Sequence, residues 1–256
     1  MSDWNASQYL KFEKQRTAPA IDLIKKACVV NPKKIIDIGC GPGNSTAVLK
    51  EMFPDADILG VDYSDNMLEK AKSKYPDLSF MKCDAGKDLR NFNERFDLVF
   101  SNACIQWIPN HKELIRDMLH ILSENGTLAV QAPINGKAPL FRIIKEVASE
   151  QKWQFPPDID QADRMLPNED YFNILNEYAS NSDIWETVYY HSMPSHKALI
   201  EWVKGTRLRP YLDALSDEMQ QEFLNEILEK AKTAYPIQKN GEIIFRFRRF
   251  FFIAKK

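Results

Sequence analysis

The sequence predicts an α/β protein with a doubly wound, mostly parallel sheet of seven strands and a helical cap inserted before the last strand. Three observations support this class. Short apolar or β-branched segments alternate with helical patterns over the first half of the 256-residue chain, as in successive βαβ units. A glycine-rich turn joins the first predicted strand to the following helix. A helical stretch at roughly 195–235 separates the last two predicted strands.

The elements of the first half follow in regular order. Helices are expected at Thr46–Met52, Asp65–Ser73 and Lys112–Leu122. Pro54 and Pro76 end the first two, because proline cannot continue a helix interior. Right-handed crossovers then place helices on both faces of the sheet. Seven strands are predicted, at Lys34–Ile38, Asp57–Val61, Leu78–Lys82, Phe96–Ser101, Thr127–Gln131, Asp183–His191 and Gly241–Ala254.

Composition and charge restrict the classes of partner. Lys and Arg number 34 against 36 Asp and Glu, which gives a formal net charge of −2, and apolar residues make up 44% of the chain. This balance argues against broad phosphate neutralisation by a nucleic-acid binder, although a basic group at 246–256 keeps that alternative open. The chain lacks a secretory h-region and an apolar run of ~20 residues, so we expect a cytoplasmic protein with no membrane partner.

The four cysteines indicate reduced thiols rather than a metal centre. They form no C-x-x-C pair, and no histidine lies at zinc-finger spacing from them, so no metal site is expected. Scattered cysteines in a chain without a secretory signal are typical of a cytosolic protein. The four are Cys28, Cys40, Cys83 and Cys104.

The most informative motif is the glycine-rich turn after the first strand. It places Gly39, Gly41 and Gly43 directly before the helix that begins near Thr46. Glycine allows a positive φ and lets the backbone approach a ligand closely. The N-terminus of the following helix attracts an anionic group. The strand–turn–helix context therefore predicts a nucleotide-binding loop.

Acidic residues follow the next two strands. Asp62 ends the second strand, where an acid can accept hydrogen bonds from both hydroxyls of a ribose. The alternative is a solvated acid or a cap for the next helix, a place for which Ser64 competes. Asp84 ends the third strand and can accept a hydrogen bond from an adenine amino group, although an Asp here is often an ordinary turn residue.

The details of the loop favour S-adenosylmethionine over a dinucleotide. A dinucleotide fingerprint reads G-x-G-x-x-G, but Asn44 stands at the third glycine position. Asp37 precedes the loop, where a pyrophosphate would gain nothing from a negative charge. S-adenosylmethionine carries an ammonium and a carboxylate group and no phosphate. We therefore expect Asp37 to organise contacts to the ammonium group and the loop backbone to meet the carboxylate.

These motifs resemble those of class I S-adenosylmethionine-dependent methyltransferases, which have a Rossmann-like fold. The matching strings are D-I-G-C-G-P-G-N-S-T, V-D-Y-S-D-N-M-L, C-D-A and F-D-L-V-F-S-N-A, which cover roughly the first half of the chain. The resemblance implies S-adenosylmethionine as the cofactor. It assigns cofactor contacts to Tyr9, Arg16, Asp37, Gly39, Cys40, Gly41, Asn44, Asp62, Tyr63, Met67, Asp84, Ala85, Asn102 and Ala103.

On this interpretation residues 1–256 form a single methyltransferase domain. Residues 30–133 are the cofactor-binding core, and 134–180 and 195–240 are helical insertions that cap the substrate side. A separate small helical domain is the alternative, less favoured because the last strand needs partners in the sheet. The N-terminal segment with Tyr9 and Arg16 either closes over the cofactor or packs as a helix on the sheet, and the pattern leaves both interpretations open.

A narrower resemblance, to the trans-aconitate methyltransferase family, extends over almost the whole chain. It implies methyl transfer onto a carboxylate of aconitate, which forms a monomethyl ester. The chain departs from the family at Arg207, where glycine is common, and shows no family motif over Phe155–Pro167, a predicted surface loop. The matching strings are S-D-W-N-A-S-Q-Y-L-K-F, A-C-I-Q-W-I-P-N-H, D-I-W-E-T-V-Y-Y-H-S-M-P-S-H-K-A-L-I-E-W-V, L-R-P-Y-L and F-R-R-F-F-F-I-A.

A carboxylate acceptor needs cations and alignment rather than a general base. Its pKa lies near ~4, so it is ionised at neutral pH. The protein must align oxygen, methyl and sulfur and exclude water, and arginine holds a carboxylate through two hydrogen bonds. Arg207 is an extra cation close to this predicted set. The acceptor-site residues are Gln106, Trp107, Tyr190, His191, Arg209 and Arg249.

Each of these assignments has an alternative. Trp107 would be explained by packing in the core. His191 would have a structural role, and Arg249 would cap the end of the sheet. Two other functions also remain: methylation of another small acceptor, such as the free carboxylate of a malonyl thioester, and a non-catalytic S-adenosylmethionine-binding regulator. A nicotinamide enzyme is disfavoured by Asn44 and Asp37.

Overall fold

The computed structural model describes residues 13–157, 159 and 164–256. The strands are β1 Lys34–Ile38, β2 Asp57–Asp62, β3 Ser79–Lys82, β4 Phe96–Asn102, β5 Leu122–Pro133, β6 Asn181–Met193 and β7 Ile243–Lys255. The α-helices are α1 Glu13–Ala27, α2 Asn44–Met52, α3 Asp65–Lys74, α4 His111–His120, α5 Pro139–Ala148, α6 Asn168–Tyr178, α7 His196–Lys204, α8 Arg209–Asp213 and α9 Asp217–Ala234. Short 3₁₀ turns cover Leu89–Asn91, Ile105–Trp107 and Gln151–Trp153.

The seven strands form one sheet in the order β3-β2-β1-β4-β5-β7-β6. Strands β1 to β5 pair in parallel, and β7 runs antiparallel to both β5 and β6. Ile36 in the middle of β1 lies between Leu59 of β2 and Val99 of β4. The predicted doubly wound, mostly parallel sheet is confirmed. Its strand order reverses beside β1, where open α/β sheets bind ligands.

Strand β5 is much longer than the segment predicted for it. The dipeptide Asn125-Gly126, which is typical of turns, lies inside the strand, and the pairing with β4 shifts register between Phe96 and Leu98. A side chain at Gly126 would place its Cβ 2.8 Å from the carbonyl oxygen of Phe96. The glycine therefore serves the close approach of two strands, which sequence alone does not distinguish from a turn.

Helices bury both faces of the sheet. On one face, Ile115 of α4 and Leu175 of α6 pack with Phe252 of β7. On the other, Leu23 of α1 and Leu49 of α2 pack with Phe251. Neighbouring phenylalanines of β7 serve opposite faces because successive side chains of a strand alternate. Within the described ranges, no helix is long and apolar enough to cross a membrane.

A second core lies at the end of the sheet. Residues 188–193 of β6 and 243–248 of β7 extend past the register of β5 as a two-stranded arm. Its inner face, with Phe245, packs against Trp202 of α7, Ile144 of α5 and Phe223 of α9. Helices α7 and α9 lie in the cap expected before the last strand, and α5 lies in the predicted insertion 134–180. Helix α6 differs from the expectation for 134–180, because Tyr171 and its neighbours pack on the sheet and not in the cap.

Candidate active site

A cavity of about 510 Å³ lies at the carboxyl ends of β1, β2 and β4, under the cap. Its size suits a nucleoside together with a small second ligand. Its walls come from the glycine turn, the strand ends, the 102–109 segment and the cap helices. Predicted cofactor residues that line it are Gly39, Cys40, Gly41, Asn44, Asp62, Tyr63, Met67, Asp84, Ala85, Asn102 and Ala103.

The glycine turn forms the floor of one half of this cavity. Gly39, Gly41 and Gly43 all have positive φ, of 73°, 55° and 88°. A Cβ on Gly39 would lie 2.2 Å from the Sγ of Cys104, so no side chain fits there. A Cβ on Gly41 would meet nothing within 4 Å, because Gly41 faces open space in the cavity wall. This arrangement lets the backbone approach a ligand closely.

The carboxylate of Asp62 is oriented by two backbone N–H groups, one from the glycine turn and one from the residue that precedes α3. The Gly41 N–H donates to Oδ2 at 2.9 Å, and the Ser64 N–H donates to Oδ1 at 2.9 Å. A carboxylate oxygen can accept more than one hydrogen bond. The Ser64 side chain accepts from the Met67 N–H and caps α3, so Asp62 does not serve as the cap.

Asp84 is held in a similar way at the end of β3. Its Oδ1 accepts from the Gly86 N–H at 3.0 Å, and its Oδ2 pairs with the Lys87 ammonium at 2.9 Å. Cys83 precedes it in the cavity wall. Asp62 is the last residue of β2, Asp84 follows the adjacent strand β3, and both line the same half of the cavity.

Asp37 lies beneath the turn and is not part of the cavity wall. Its Oδ2 accepts hydrogen bonds of 2.7 Å from the hydroxyls of both Ser45 and Thr46, and the residue is fully buried. Burial raises the pKa of Asp37 to about 6, against these two hydrogen bonds, which lower it. Through Oδ2 the carboxylate ties β1 to the start of α2, whereas the buried Oδ1 has no hydrogen-bond partner among the described residues. The expected contact with a ligand ammonium group therefore stays a prediction, made by a residue outside the cavity wall.

Three amide side chains of the cavity wall present polar atoms without a hydrogen-bond partner among the described residues. Asn44 accepts from Lys74 and Tyr75 through Oδ1, which leaves its buried Nδ2 unsatisfied. The buried Oδ1 of Asn102 and Oε1 of Gln106 are also unsatisfied. All three residues line the cavity. Buried polar atoms of this kind are costly unless a ligand or water pairs with them.

The other half of the cavity is aromatic and cationic. Arg249 of β7 donates through Nη1 to Gln131 Oε1 at 3.0 Å, and its guanidinium lies 4.7 Å from the centre of the Phe247 ring. The Arg207 guanidinium lies 5.6 Å from the centre of the Phe141 ring. Both arginines are buried. Gln106, Trp107 and Arg164 complete this half together with Trp202 and Thr206.

Three predicted acceptor residues are not brought to this cavity. Tyr190 points to the outer face of the arm, where it is 62% exposed beside Arg246. His191 is on the inner face but lies behind Trp202, with ring centres 4.9 Å apart. Arg209 opens α8 and pairs with Asp213 one turn later, at 3.5 Å. Side-chain alternation in β6 and the start of α8 direct all three elsewhere.

Other predictions fall outside what the structure describes, and some site residues were missed. Tyr9 and the side chain of Arg16 lie outside the described residues. Arg164 comes from the 155–167 stretch, in which no motif was found. Phe141 and Trp202 have the apolar spacing of helix cores, so their place in the wall has no distinct sequence signal. The cluster of Arg207 with Arg209 was visible, but not which of the two faces inward.

The cysteines of the cavity are held as thiols. Burial raises the pKa of Cys83 to about 12. Burial, together with the charges of Asp62 and Asp37, also raises the pKa of Cys104 and of Cys40. All four cysteines of the chain are free. In the described part of the chain, no group of three or more His, Cys, Asp or Glu residues is placed to hold a metal ion.

Comparison with known proteins agrees with this architecture. Residues 30–196 match the family model of a methyltransferase domain. The trans-aconitate 2-methyltransferase of Escherichia coli O7:K1 (strain IAI39) is 42% identical over 258 residues, which cover 100% of this chain and 99% of that protein. The protein of the same description from Escherichia coli strain K12 / DH10B is 41% identical over 258 residues, with the same coverage.

Solved structures share the fold at much lower identity. The YcgJ protein from Bacillus subtilis superposes with a TM-score of 0.63 at 14% identity, covering 93% of this chain and 98% of that one. Phosphoethanolamine N-methyltransferase 2 from Haemonchus contortus, solved with S-adenosyl-L-methionine, gives a TM-score of 0.57 at 18% identity, covering 93% and 52%.

The sheet order, the cavity at its switch point and the match over 30–196 define a class I methyltransferase. Within that class the similarity runs from one end of the chain to the other. The chain belongs to the trans-aconitate 2-methyltransferase family.

Proposed function

We propose that this chain transfers the methyl group of S-adenosylmethionine to a carboxylate of trans-aconitate and forms a monomethyl ester. The similarity to trans-aconitate 2-methyltransferases over the full chain supports this activity. The observation that carries it is a single cavity with two chemically different halves. Acids and unsatisfied amides line one half, and arginines with aromatic rings line the other.

The first half fits S-adenosylmethionine. Asp62 would accept from the ribose hydroxyls, because two backbone N–H groups already orient its carboxylate. Asp84 would accept from the adenine amino group. The Asn44 Nδ2 supplies a donor for a carboxylate, and the Asn102 Oδ1 supplies an acceptor for an ammonium group. An amino acid end carries both of these charged groups, so the donor set matches it.

The second half fits an acceptor with several carboxylates. Arg207 and Arg249 place two guanidinium groups in the wall, and Arg164 adds a third. Buried guanidinium groups keep their charge and offer paired N–H donors to each carboxylate. Aromatic rings from Trp107, Phe141 and Trp202 would exclude water around the acceptor.

The chemistry requires no proton transfer by the protein. S-adenosylmethionine supplies a methyl group on a positively charged sulfur. A lone pair of the acceptor carboxylate forms the new O–C bond as the S–C bond breaks, so an ester and a thioether leave the site. The residues of the chain bind, orient and desolvate the reactants, which accounts for most of the acceleration available to such a displacement.

The direct test incubates the purified chain with methyl-labelled S-adenosylmethionine and a panel of organic acids. We expect base-labile labelled ester with trans-aconitate. Citrate, malonate and a malonyl thioester serve as comparison acceptors. Ester formation only with one of these would replace trans-aconitate as the substrate, and no ester with any acid would remove the proposed activity.

Partners and location follow from the same proposal. The acceptor is a small carboxylate, with no nucleic acid or membrane involved in the reaction. Four free thiols are compatible with a reducing compartment, which supports a cytoplasmic location. Imaging of a tagged chain in cells would test the location.

A further inference from the structure

A buried imidazole–phenol pair lies directly behind the acceptor half of the cavity. His111 opens α4 and is 3% exposed, and Tyr171 of α6 is fully buried. The His111 Nδ1 and the Tyr171 hydroxyl are hydrogen-bonded. Neither residue lines the cavity, and the mechanism proposed above does not use them. Tyr171 is packed against the rings of Phe250 and Phe252, with ring centres 5.1 and 5.8 Å away, so its position is fixed.

The tautomer of His111 follows from its contacts. Its Nε2 lies 2.9 Å from the carbonyl oxygen of Ile105 and 2.9 Å from that of Ile108. A nitrogen between two acceptors must carry a proton, so Nε2–H donates to both. Burial lowers the pKa of His111, as does the charge of Arg164, which favours the neutral ring. Nδ1 is therefore an acceptor, and the Tyr171 hydroxyl donates to it.

The pair joins two segments of the cavity wall. Ile105 and Ile108 enclose Gln106 and Trp107, which face the cavity. On the other side, the Tyr171 oxygen accepts from the Leu166 N–H at 3.3 Å.

A direct contact completes the connection between these segments. The Arg164 N–H donates to the carbonyl oxygen of Gln106 at 3.4 Å. We call residues 164–166 the Arg164 segment and residues 105–108 the Trp107 turn. The contacts from Leu166 through Tyr171 and His111 thus connect the Arg164 segment to the Trp107 turn.

We propose that His111 and Tyr171 are positioning residues for methyl transfer, which set the Trp107 turn and the Arg164 segment at the separation that aligns the acceptor. This inference rests on the proposed function, since the acceptor half is what the pair supports. A misplacement of reacting groups by about 1 Å can cost on the order of a hundredfold in rate, so a loosened pair should reduce turnover.

The central variant is Tyr171→Phe, which removes one hydroxyl and keeps the packed ring. It leaves the His111 Nδ1 and the Leu166 N–H unpaired. We expect kcat/KM for trans-aconitate to fall by at least about tenfold, with part of the loss in kcat. Affinity for S-adenosylhomocysteine, measured by calorimetry, should stay within about twofold because the cofactor half is untouched.

Two further variants complete the design. His111→Gln keeps a donor near the carbonyl groups of Ile105 and Ile108, but its amide oxygen lies on a flexible side chain and does not replace the acceptor that the ring fixes at Nδ1. It should resemble Tyr171→Phe, and the double variant should be no worse than either single one, because the two residues act as a unit. Tyr178→Phe removes a phenol hydroxyl from the far end of the same helix and should behave as the unmodified protein.

Amide hydrogen exchange supplies a readout that does not depend on activity. Faster exchange is expected in peptides that cover 103–110 and 164–168 in Tyr171→Phe, and not in Tyr178→Phe. Unchanged kinetics and exchange in Tyr171→Phe and His111→Gln would overturn the inference. So would a lower melting temperature with unaltered kcat and KM, which would mean a purely structural role. An unmodified protein that methylates no carboxylate would instead overturn the proposed function, while exchange would still test the pair.

Discussion

The carboxylate of Asp62 is oriented by backbone groups of the protein itself. Two backbone N–H groups, from Gly41 and Ser64, hold its carboxylate beside the glycine turn. A pre-oriented acceptor pays no reordering cost when a ribose arrives. The same contacts tie the turn to the end of β2, so the carboxylate both shapes and lines the cavity.

Replacing Asp62 should therefore weaken cofactor binding strongly. Asp62→Ala removes up to two charge-assisted hydrogen bonds, each worth roughly 1.5–3 kcal/mol. Calorimetry with S-adenosylhomocysteine should show at least about a tenfold loss of affinity. Asp57→Ala, at the other end of β2, is the matched control and should bind normally. Equal affinities for the two variants would rule out ribose binding by Asp62.

Substitution of Arg207 and Arg249 tests whether these residues bind the carboxylates of the acceptor. Arg207→Ala and Arg249→Ala should each raise KM for trans-aconitate by at least about thirtyfold, because each removes a buried cation from a carboxylate. Arg249→Lys should restore only part of the affinity for trans-aconitate that Arg249→Ala loses, since a point charge cannot replace the planar guanidinium group. Cofactor affinity should be nearly unchanged, and melting curves check that each variant is folded.

Arg209→Ala and Arg248→Ala are the controls for that test. Arg209 pairs with Asp213, and the exposed Arg248 pairs with Glu186. Both should leave KM within about threefold, because each guanidinium group is paired with a carboxylate of the protein and neither residue lines the cavity. A larger rise in KM for Arg209→Ala than for Arg207→Ala would mean that Arg209, and not Arg207, contacts the acceptor.

The two-stranded arm of β6 and β7 depends on the cap for its burial. Its inner face carries His191 between the rings of Trp202 and Phe247, with centres 4.9 and 6.0 Å away. The His191 Nε2 has no hydrogen-bond partner among the described residues. Burial and the nearby Arg249 charge lower the pKa of His191 to about 4. The contact between arm and α7 is therefore sensitive to acid.

The sign of this effect follows from linkage. The folded protein keeps His191 neutral down to about pH 4, whereas the unfolded chain binds a proton near pH ~6.5. The stability is thus fully present above pH ~6.5 and falls as the pH drops through this window. The equilibrium constant for unfolding rises by up to about tenfold for each pH unit.

His191→Phe should remove this dependence. Its stability relative to the unmodified protein should rise as the pH falls from 7.5 to 4.5 in urea unfolding. His120→Gln, a substitution at the exposed end of α4, provides the control. A constant difference between His191→Phe and the unmodified protein at all pH values would contradict the neutral, buried state of His191.

Across the whole molecule, catalysis is a matter of bringing two halves of one cavity together. The Rossmann-like core supplies the half with Asp62, and the cap with β7 supplies the half with Arg207 and Arg249. The described residues of the cavity wall include no histidine, and the acceptor is already ionised at neutral pH. The rate should therefore carry no signature of a base that titrates near neutrality.

The pH profile of the reaction tests that statement. We expect kcat/KM for trans-aconitate to be flat from about pH 6.5 to 8 and to fall only in mild acid, where the acceptor carboxylates take up protons. The fall in kcat/KM at low pH should follow the titration of the acceptor carboxylates. A rise centred near pH 7 would instead indicate a hydroxyl or amine acceptor and a protein base.

The order of residues along the chain was enough to predict the sheet and most of the residues that line the cavity beside the glycine turn. Both depend on local features: alternating strand and helix patterns, and glycines and acids at strand ends, which topology brings to one edge. Only the packed structure decides the acceptor half. Arg207 rather than Arg209 faces inward because α8 begins at Arg209, and His191 lies behind Trp202 because the cap covers the arm. These outcomes depend on contacts between distant segments, which no local pattern records.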